Sequence, residues 1–479
     1  MGLTSGEHGV KRFVESAFPT AVARFFDLYS FTCALELEPA QVAAVRDGNI
    51  MMMGMPTSIK KFEDMVQFAV NSISLSMRHA NYVCVCFDNP QRVPIAKVET
   101  QSKRDGDRPP ISTPPNWSLE LLHATEDCRP FVQQRSLRYA LFDSIMTEAM
   151  RMLALKFSDC EGSICLIDGI DFNGARRHPD ASRNPSAQCT SMAKIDRFGV
   201  HVNMDGLVRE TSEVGEADLK LSVYARCMRR AASEHREFSC IVLDTVDTDI
   251  LPISMLMLVH ETIEDNQSNQ ANPISTLGIG GASACVAPRL FIGMRERGTY
   301  AAKELMKAHG HEIPSNAAEL KGAAAGWMFV DAEELMRSIM RHLHPTAFDN
   351  IHMRVAFVRA LCTSWAVTGC DFVPCNVPAS DSLTECVLQT FRAFSEEHRA
   401  DYFAFWNAHT TDTDVPRMVS VIRAICRATA QRIARRKSAA NALVNVSESN
   451  VRRALWTMIY WSVPGQHRHN MAFYGFPTE

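Results

Sequence analysis

Short apolar runs punctuate the first 250 residues of the chain, and each ends on an aspartate. Residues 41–46, 81–87, 163–167 and 239–243 have the length and apolar density of buried strands, and they lead into Asp47, Asp88, Asp168 and Asp244. Between the first two, residues 58–78 carry apolar side chains at Ile59, Phe62, Met65, Val66, Ala69, Val70 and Ile73, the spacing of a crossover helix. This alternation predicts an α/β fold around a mostly parallel central sheet flanked by helices. Residues 103–115, with Pro109-Pro110 and Pro114-Pro115, predict a loop. Residues 176–188 predict a polar surface insertion, and residues 261–281 a long polar, Gly-rich loop. The C-terminal half reads as largely helical, over 332–343, 354–367, 383–397, 415–437 and 450–461. Gly369 and Pro374 stop the second of these helices and set Asp371 at its end.

The chemistry follows from the acids. Ligands of open α/β sheets bind beyond the carboxyl ends of the strands, where these aspartates gather. Two further clusters, Gly215-Glu216-Ala217-Asp218 and Asp244-Thr245-Val246-Asp247-Thr248-Asp249, place carboxylates two residues apart. Two such charges ~4 Å apart repel by roughly 4 kcal/mol at an effective dielectric near 20, so a cation between them is favoured. Mg²⁺ or Mn²⁺, two ions in all, are the natural occupants of an all-oxygen donor set. The candidate catalytic and metal-binding residues are Asp47, Asp88, Glu216, Asp218, Asp247, Asp249 and Asp371, with Asp168, Asp171, Glu213 and Asp244 as weaker candidates. Taken singly, each has an ordinary structural role: strand-end aspartates make turns, and acids open helices. Asp412 and Asp414 follow no strand and read as helix caps.

Composition narrows the partners. A chain of 479 residues exceeds a usual single core, and a formal net charge of −4 supplies no global field for a polyanion, so contact with nucleic acid must rest on local patches. One such patch is the segment after Asp88. As a helix it sets Lys97, Gln101 and Arg104 on one face, with Lys103 adjacent, a clamp for a phosphate. Another is 415–447, which has no acidic residue and contains Arg417, Arg423, Arg427, Arg432, Arg435, Arg436 and Lys437. Arg423 and Arg427 are the candidates there for contact with a phosphate backbone. Trp456, Tyr460 and Trp461 could stack bases but share a helix with Leu455 and Ile459, which favours core packing. Fifteen cysteines at irregular spacing, without a signal-peptide pattern, predict reduced thiols and an intracellular, cytoplasmic or nuclear, location. Cys84 and Cys86, and Cys370 and Cys375, lack zinc-ribbon spacing. No apolar run is long enough for a membrane span.

These residues carry a resemblance. Met1-Gly2-Leu3 with residues 9–19, then Asp47-Gly48-Asn49, Phe87-Asp88-Asn89, Gly215-Glu216-Ala217-Asp218-Leu219-Lys220, Val246-Asp247-Thr248-Asp249 and Gly369-Cys370-Asp371-Phe372-Val373-Pro374 follow the order of acidic motifs in the 5′ nucleases. The chain thus resembles the superfamily of flap endonucleases and Xrn-type 5′→3′ exoribonucleases, and is closer to the Xrn-type branch. The resemblance implies a PIN-like nuclease core over 1–255, an insertion and connecting segment over 256–345 and a helical continuation carrying the last acid over 346–400; it does not extend past residue 400, where the residues themselves predict a basic helical region over 401–479. It implies a metal-dependent phosphodiesterase, foremost a 5′→3′ exonuclease on single-stranded RNA or DNA, with Lys97, Gln101 and Arg104 matching a 5′-phosphate pocket. A flap endonuclease and a catalytically silent binding scaffold are the alternatives. Two departures stand out: residues 376–386 have no glycine where flap endonucleases carry a duplex-gripping hairpin, and Asp105 sits where a second arginine is expected.

Overall fold

The computed structural model describes residues 11, 14–89, 117–157, 163–171, 192–196, 199–202, 214–235, 238–271, 287–296, 299–313, 326–343, 351–367, 370, 373, 388, 392–393, 415–436 and 447–462. A nine-stranded mixed sheet organises them. Its strands are β1 (Val22–Phe25), β2 (Val42–Asp47), β3 (Tyr82–Cys86), β4 (Ile164–Asp168), β5 (Met192–Asp196), β6 (Gly199–Val202), β7 (Cys240–Thr245), β8 (Arg289–Arg295) and β9 (Trp327–Asp331). They lie in the order β1-β9-β8-β7-β2-β3-β4-β5-β6. The central five, β8-β7-β2-β3-β4, run parallel. Antiparallel pairs close both flanks.

The parallel strands are apolar on both faces because each face is covered. One face packs Val42, Ala44, Val83, Val85, Cys165 and Ile167 against α1 (Phe62–Met77) and α2 (Arg135–Phe157). The other packs Ala43, Val45, Cys84, Cys86, Leu166 and Leu243 against α3 (Ala217–His235) and α4 (Ile250–Ala271). Against α4 pack α5 (Ala332–Leu343) and α6 (Ile351–Val367), while α7 (Val415–Arg436) packs on α6 and on α8 (Glu448–Ser462), which itself packs against α4. From β2 the chain winds outward through β3 to β4, then returns to lay β7 and β8 on the opposite side of β2. The winding direction therefore reverses between β2 and β7, the place where doubly wound sheets open a crevice.

The four predicted central strands form within a residue or two of their expected limits, as do α5, α7 and α8, while α1 begins four residues later and α6 three residues earlier than expected. One expectation is overturned. Residues 261–271, read as the start of a long loop, continue α4 without interruption. Polarity alone does not stop a helix; the first breaker after Ile250, apart from Pro252 in the opening turn, is Pro273. Glu261 also holds this part of α4 to α3, accepting from Arg229 Nε at 2.9 Å. Residues 256–345 contribute β8 and β9 to the same sheet. The loops at 103–115 and 176–188, and most of the helix expected over 383–397, lie outside the described residues.

Gly169, just past β4, has φ +90°, and a Cβ there would collide with the Phe87 carbonyl oxygen and sit 2.9 Å from Lys220 Nζ. Gly199 has φ +119° with open space around it. Gly169→Ala is expected to destabilise the fold by about 2 kcal/mol or more, since strain and collision add, and Gly199→Ala by about 1 kcal/mol from strain alone. Urea midpoints of the two variants check this; equal shifts would remove the collision from the account.

Candidate active site at the carboxyl edge of the sheet

Strand register brings a row of side chains together on the α3 face. Asp47 pairs with Cys86, Cys86 with Asp168, and the pairing of Arg46 with Asp244 sets Asp47 beside Thr245. Thr245, Asp47, Cys86 and Asp168 thus form one line across four parallel strands. At strand spacing, the backbones of Asp47 and Asp168 are roughly 10 Å apart. Cys86 between them is buried, which pushes its thiol above the ordinary value, and the charges of Asp168 and Asp47 push the same way while Cys84 and Lys220 oppose. It remains a neutral thiol and no nucleophile at neutral pH.

Asp47, Asp88 and Asp247 at this edge each accept a backbone N–H with a side-chain oxygen. Asp47 caps the short helix Gly48–Met53, its Oδ1 accepting the Ile50 N–H at 2.9 Å. Asp88 Oδ1 accepts the Ala217 N–H at 2.9 Å, and the Asn89 N–H donates to Gly215 O at 2.6 Å. Two segments more than a hundred residues apart are joined there, so the acid after β3 sits at the N-terminus of α3 beside Glu216 and Asp218. Glu216 is buried and Asp218 occupies the first turn of α3, where the helix dipole favours negative charge. Asp247 Oδ1 accepts the Asp249 N–H at 2.9 Å, and the Asp247 N–H donates to Thr245 Oγ1 at 3.1 Å, opening α4 beyond β7. Asp47 and the pair Asp247 and Asp249 therefore flank the crevice between β2 and β7.

The weaker candidates separate from this group. Asp168 is committed on both oxygens: Lys220 Nζ donates to Oδ1 at 2.9 Å and Tyr224 Oη to Oδ2 at 2.8 Å, while Lys220 also reaches Phe87 O at 3.1 Å. Lys220 and Tyr224 stand one helical turn apart on α3 and clamp the end of β4. Asp244 points to the opposite face, because strand side chains alternate, and there it accepts from Arg46 Nε at 2.7 Å and Arg295 Nη2 at 3.0 Å. Burial raises the Asp244 carboxyl, but Arg295 and Arg46 outweigh that and hold it below its ordinary value. Asp171 is buried, its N–H donating to Asp143 Oδ1 at 3.0 Å.

Lys220, Tyr224 and Asp143 had no place among the candidate site residues of the sequence. Lys220 was legible in principle, as a lone cation among Leu219, Leu221 and Val223 where only a buried partner would justify it. On α7, Arg423 lies 3.8 Å from Glu448 and Arg427 is exposed, the two bordering a shallow groove with Pro416 and Ser420. Trp456, Tyr460 and Trp461 are buried, with Trp456 and Tyr460 stacked at 4.9 Å, so they pack the core. Asp371, Glu213, Lys97, Gln101, Lys103 and Arg104 lie outside the described residues.

Among the described residues no group of three or more His, Cys, Asp or Glu side chains is arranged as the ligands of one ion. The donor set is nonetheless suited to a hard cation: it is all carboxylate, and Mg²⁺ commonly takes only one or two carboxylates and keeps its waters. Among the described residues no helix is long and apolar enough to cross a membrane. In comparisons with known proteins, no family model matches the chain and no curated protein matches it.

Proposed function

We propose that the chain is a divalent-metal-dependent 5′ nuclease, foremost a 5′→3′ exonuclease on single-stranded RNA or DNA bearing a 5′ phosphate. The observation that supports this best is the placement of Asp47 and the pair Asp247 and Asp249 at the strand ends on either side of the reversal of winding between β2 and β7, with Asp88 tied to the segment that carries Glu216 and Asp218. A PIN-like fold is consistent with the parallel order β8-β7-β2-β3-β4.

In this reading Asp88, Glu216 and Asp218 would hold one cation and Asp247, Asp249 and Asp371 another, with Asp47 bridging the two or supporting their ligands. Two Mg²⁺ or Mn²⁺ ions so held would supply an activated water and neutralise charge on the leaving oxygen. The chain's own residues then orient and confine. The caps made by Asp47 and Asp247 fix one oxygen of each carboxylate to backbone, which sets the direction of the other oxygen before any ion arrives. Lys220 and Tyr224 hold the β4 end rigid beneath them. Lys97, Gln101, Lys103 and Arg104 are proposed to grip the terminal phosphate, and Arg423 and Arg427 to follow the strand.

The test is cleavage of a 5′-phosphorylated single strand, labelled at either end, with Mg²⁺ or Mn²⁺ and then with excess chelator. Mononucleotides released from the 5′ end, and their complete loss on chelation, are expected. Cleavage confined to flapped duplexes would move the reading to a flap endonuclease. Undiminished activity in chelator, or none under any condition, would reject it.

A further inference from the structure

We propose that a cavity on the α1 face of the sheet, opposite the strand-end acids, binds a small organic anion carrying one aromatic ring. The cavity encloses about 190 Å³ between β2, β7, β8, the start of β9 and the C-terminal half of α1. Its polar floor is Arg46, Asp244 and Arg295, and its rim includes Tyr29, His79 and Trp327.

The floor holds more positive charge than it neutralises. Arg46 and Arg295 both bond to the same oxygen of Asp244, so two guanidinium groups share a single carboxylate. Arg46 is buried and further held by Ser72 O at 2.8 Å and Ser76 Oγ at 2.6 Å, neither of which carries charge. Arg295 is only partly covered, and its Nε is buried with no hydrogen-bond partner among the described residues. A buried donor left unmade is unfavourable, and one on a cation beside a second cation more so. The other acid of the lining, Asp27, does not correct the excess. It lies exposed at the mouth and accepts the Ser30 N–H at 2.8 Å as the cap of helix Leu28–Ala34.

The walls favour a flat body. The Arg295 guanidinium lies 4.8 Å over the Trp327 ring, and the Tyr29 ring, 54% exposed, stacks obliquely on His79 at 4.8 Å. Burial lowers the proton affinity of His79, so it presents an uncharged flat ring at neutral pH. Leu28, Leu75, Ala44 and Val242 complete an apolar lining around the charged floor. A concave apolar site with a few convergent polar groups is the usual form of a small-molecule site. The volume suits one ring with its acidic group and leaves no room for a polymer. The inference is independent of the nuclease reading, because the residues lie on the other face.

The experiment is ligand-observed NMR titration of the full chain with benzoate, phenyl phosphate and neutral benzamide. At least one of the two anions is expected to bind saturably in the millimolar range or below, about tenfold or more tighter than benzamide. The tighter of the two identifies the acidic group. Arg295→Met is expected to bring anion binding down to the benzamide level, and Tyr29→Ala, at an exposed position that takes no part in the ion pairs, to weaken both anions. Equal binding of benzamide and the anions by the unaltered protein, or no binding of either anion at millimolar concentration, would overturn the proposal irrespective of how the variants fold.

Discussion

Asp47→Asn is expected to slow cleavage of a 5′-phosphorylated single strand by about a hundredfold or more, at saturating Mn²⁺ and with the fold unchanged. The substitution separates two roles of one side chain. As a cap, Asp47 accepts the Ile50 N–H, and Asn serves that role about as well, so the helix that follows β2 should keep its place. As a charge at the crevice between β2 and β7, Asn cannot replace it, because an amide oxygen is a poor ligand for Mg²⁺ beside a carboxylate. Cleavage rates, with urea unfolding run in parallel, separate the two. A rate within about threefold of the parent would remove Asp47 from the reaction and, with it, the strand-end assignment.

Lys220→Met is expected to be the most damaging single change to stability, at about 3–5 kcal/mol. Lys220 and Asp168 are each 1% exposed, and the substitution strands a buried carboxylate that keeps, among the described residues, the hydrogen bond from Tyr224 alone. Removing both charges should be milder than removing one, since well-packed apolar pairs often replace buried ion pairs at little loss. A double-mutant cycle with Lys220→Met and Asp168→Leu, read by urea midpoints, is therefore expected to show strong coupling. Additive effects would mean that the pair does not act as a unit at the β4 end.

Much of the fold was legible because the parallel strands are covered on both faces, and such strands announce themselves as continuous apolar runs. Residues 41–46 and 239–243 were found this way, and the crossover helix α1 by its single apolar stripe. The strands β1, β5, β6, β8 and β9, which lie outside the four predicted ones, gave weaker signals. β1 and β6 are only four residues long, and β8 begins and ends on an exposed or partly exposed arginine. Helix continuation past Glu261 was missed because polarity was taken for loop, when the partner that anchors that turn, Arg229, lies 32 residues earlier.

The site was legible in its membership more than in its geometry. That Asp47 and Asp88 end adjacent strands follows from the sequence, but the bond from Ala217 to Asp88 joins positions 129 apart and leaves no local pattern. Strand alternation separates neighbours that look equivalent in one dimension. Arg46 and Asp47 are consecutive, yet one belongs to the ion-paired floor of a cavity and the other to the acidic edge. The same alternation sends Asp244 to the first and leaves Thr245 in line with Asp47.

The pairing of β1 with β9 has a consequence for biosynthesis. Val22 meets Val330 and Phe25 meets Trp327, so β1 leaves the ribosome and waits for a partner about 300 residues behind it. At roughly 5–20 residues per second, that delay is on the order of 15–60 s. During this interval Phe31, which stacks on Phe329 at 3.9 Å in the finished molecule, has no native neighbour from β9 to cover it. The segment carrying β1 and Phe31 is thus open to misassociation during that interval, and chaperone engagement there would end with the synthesis of β9.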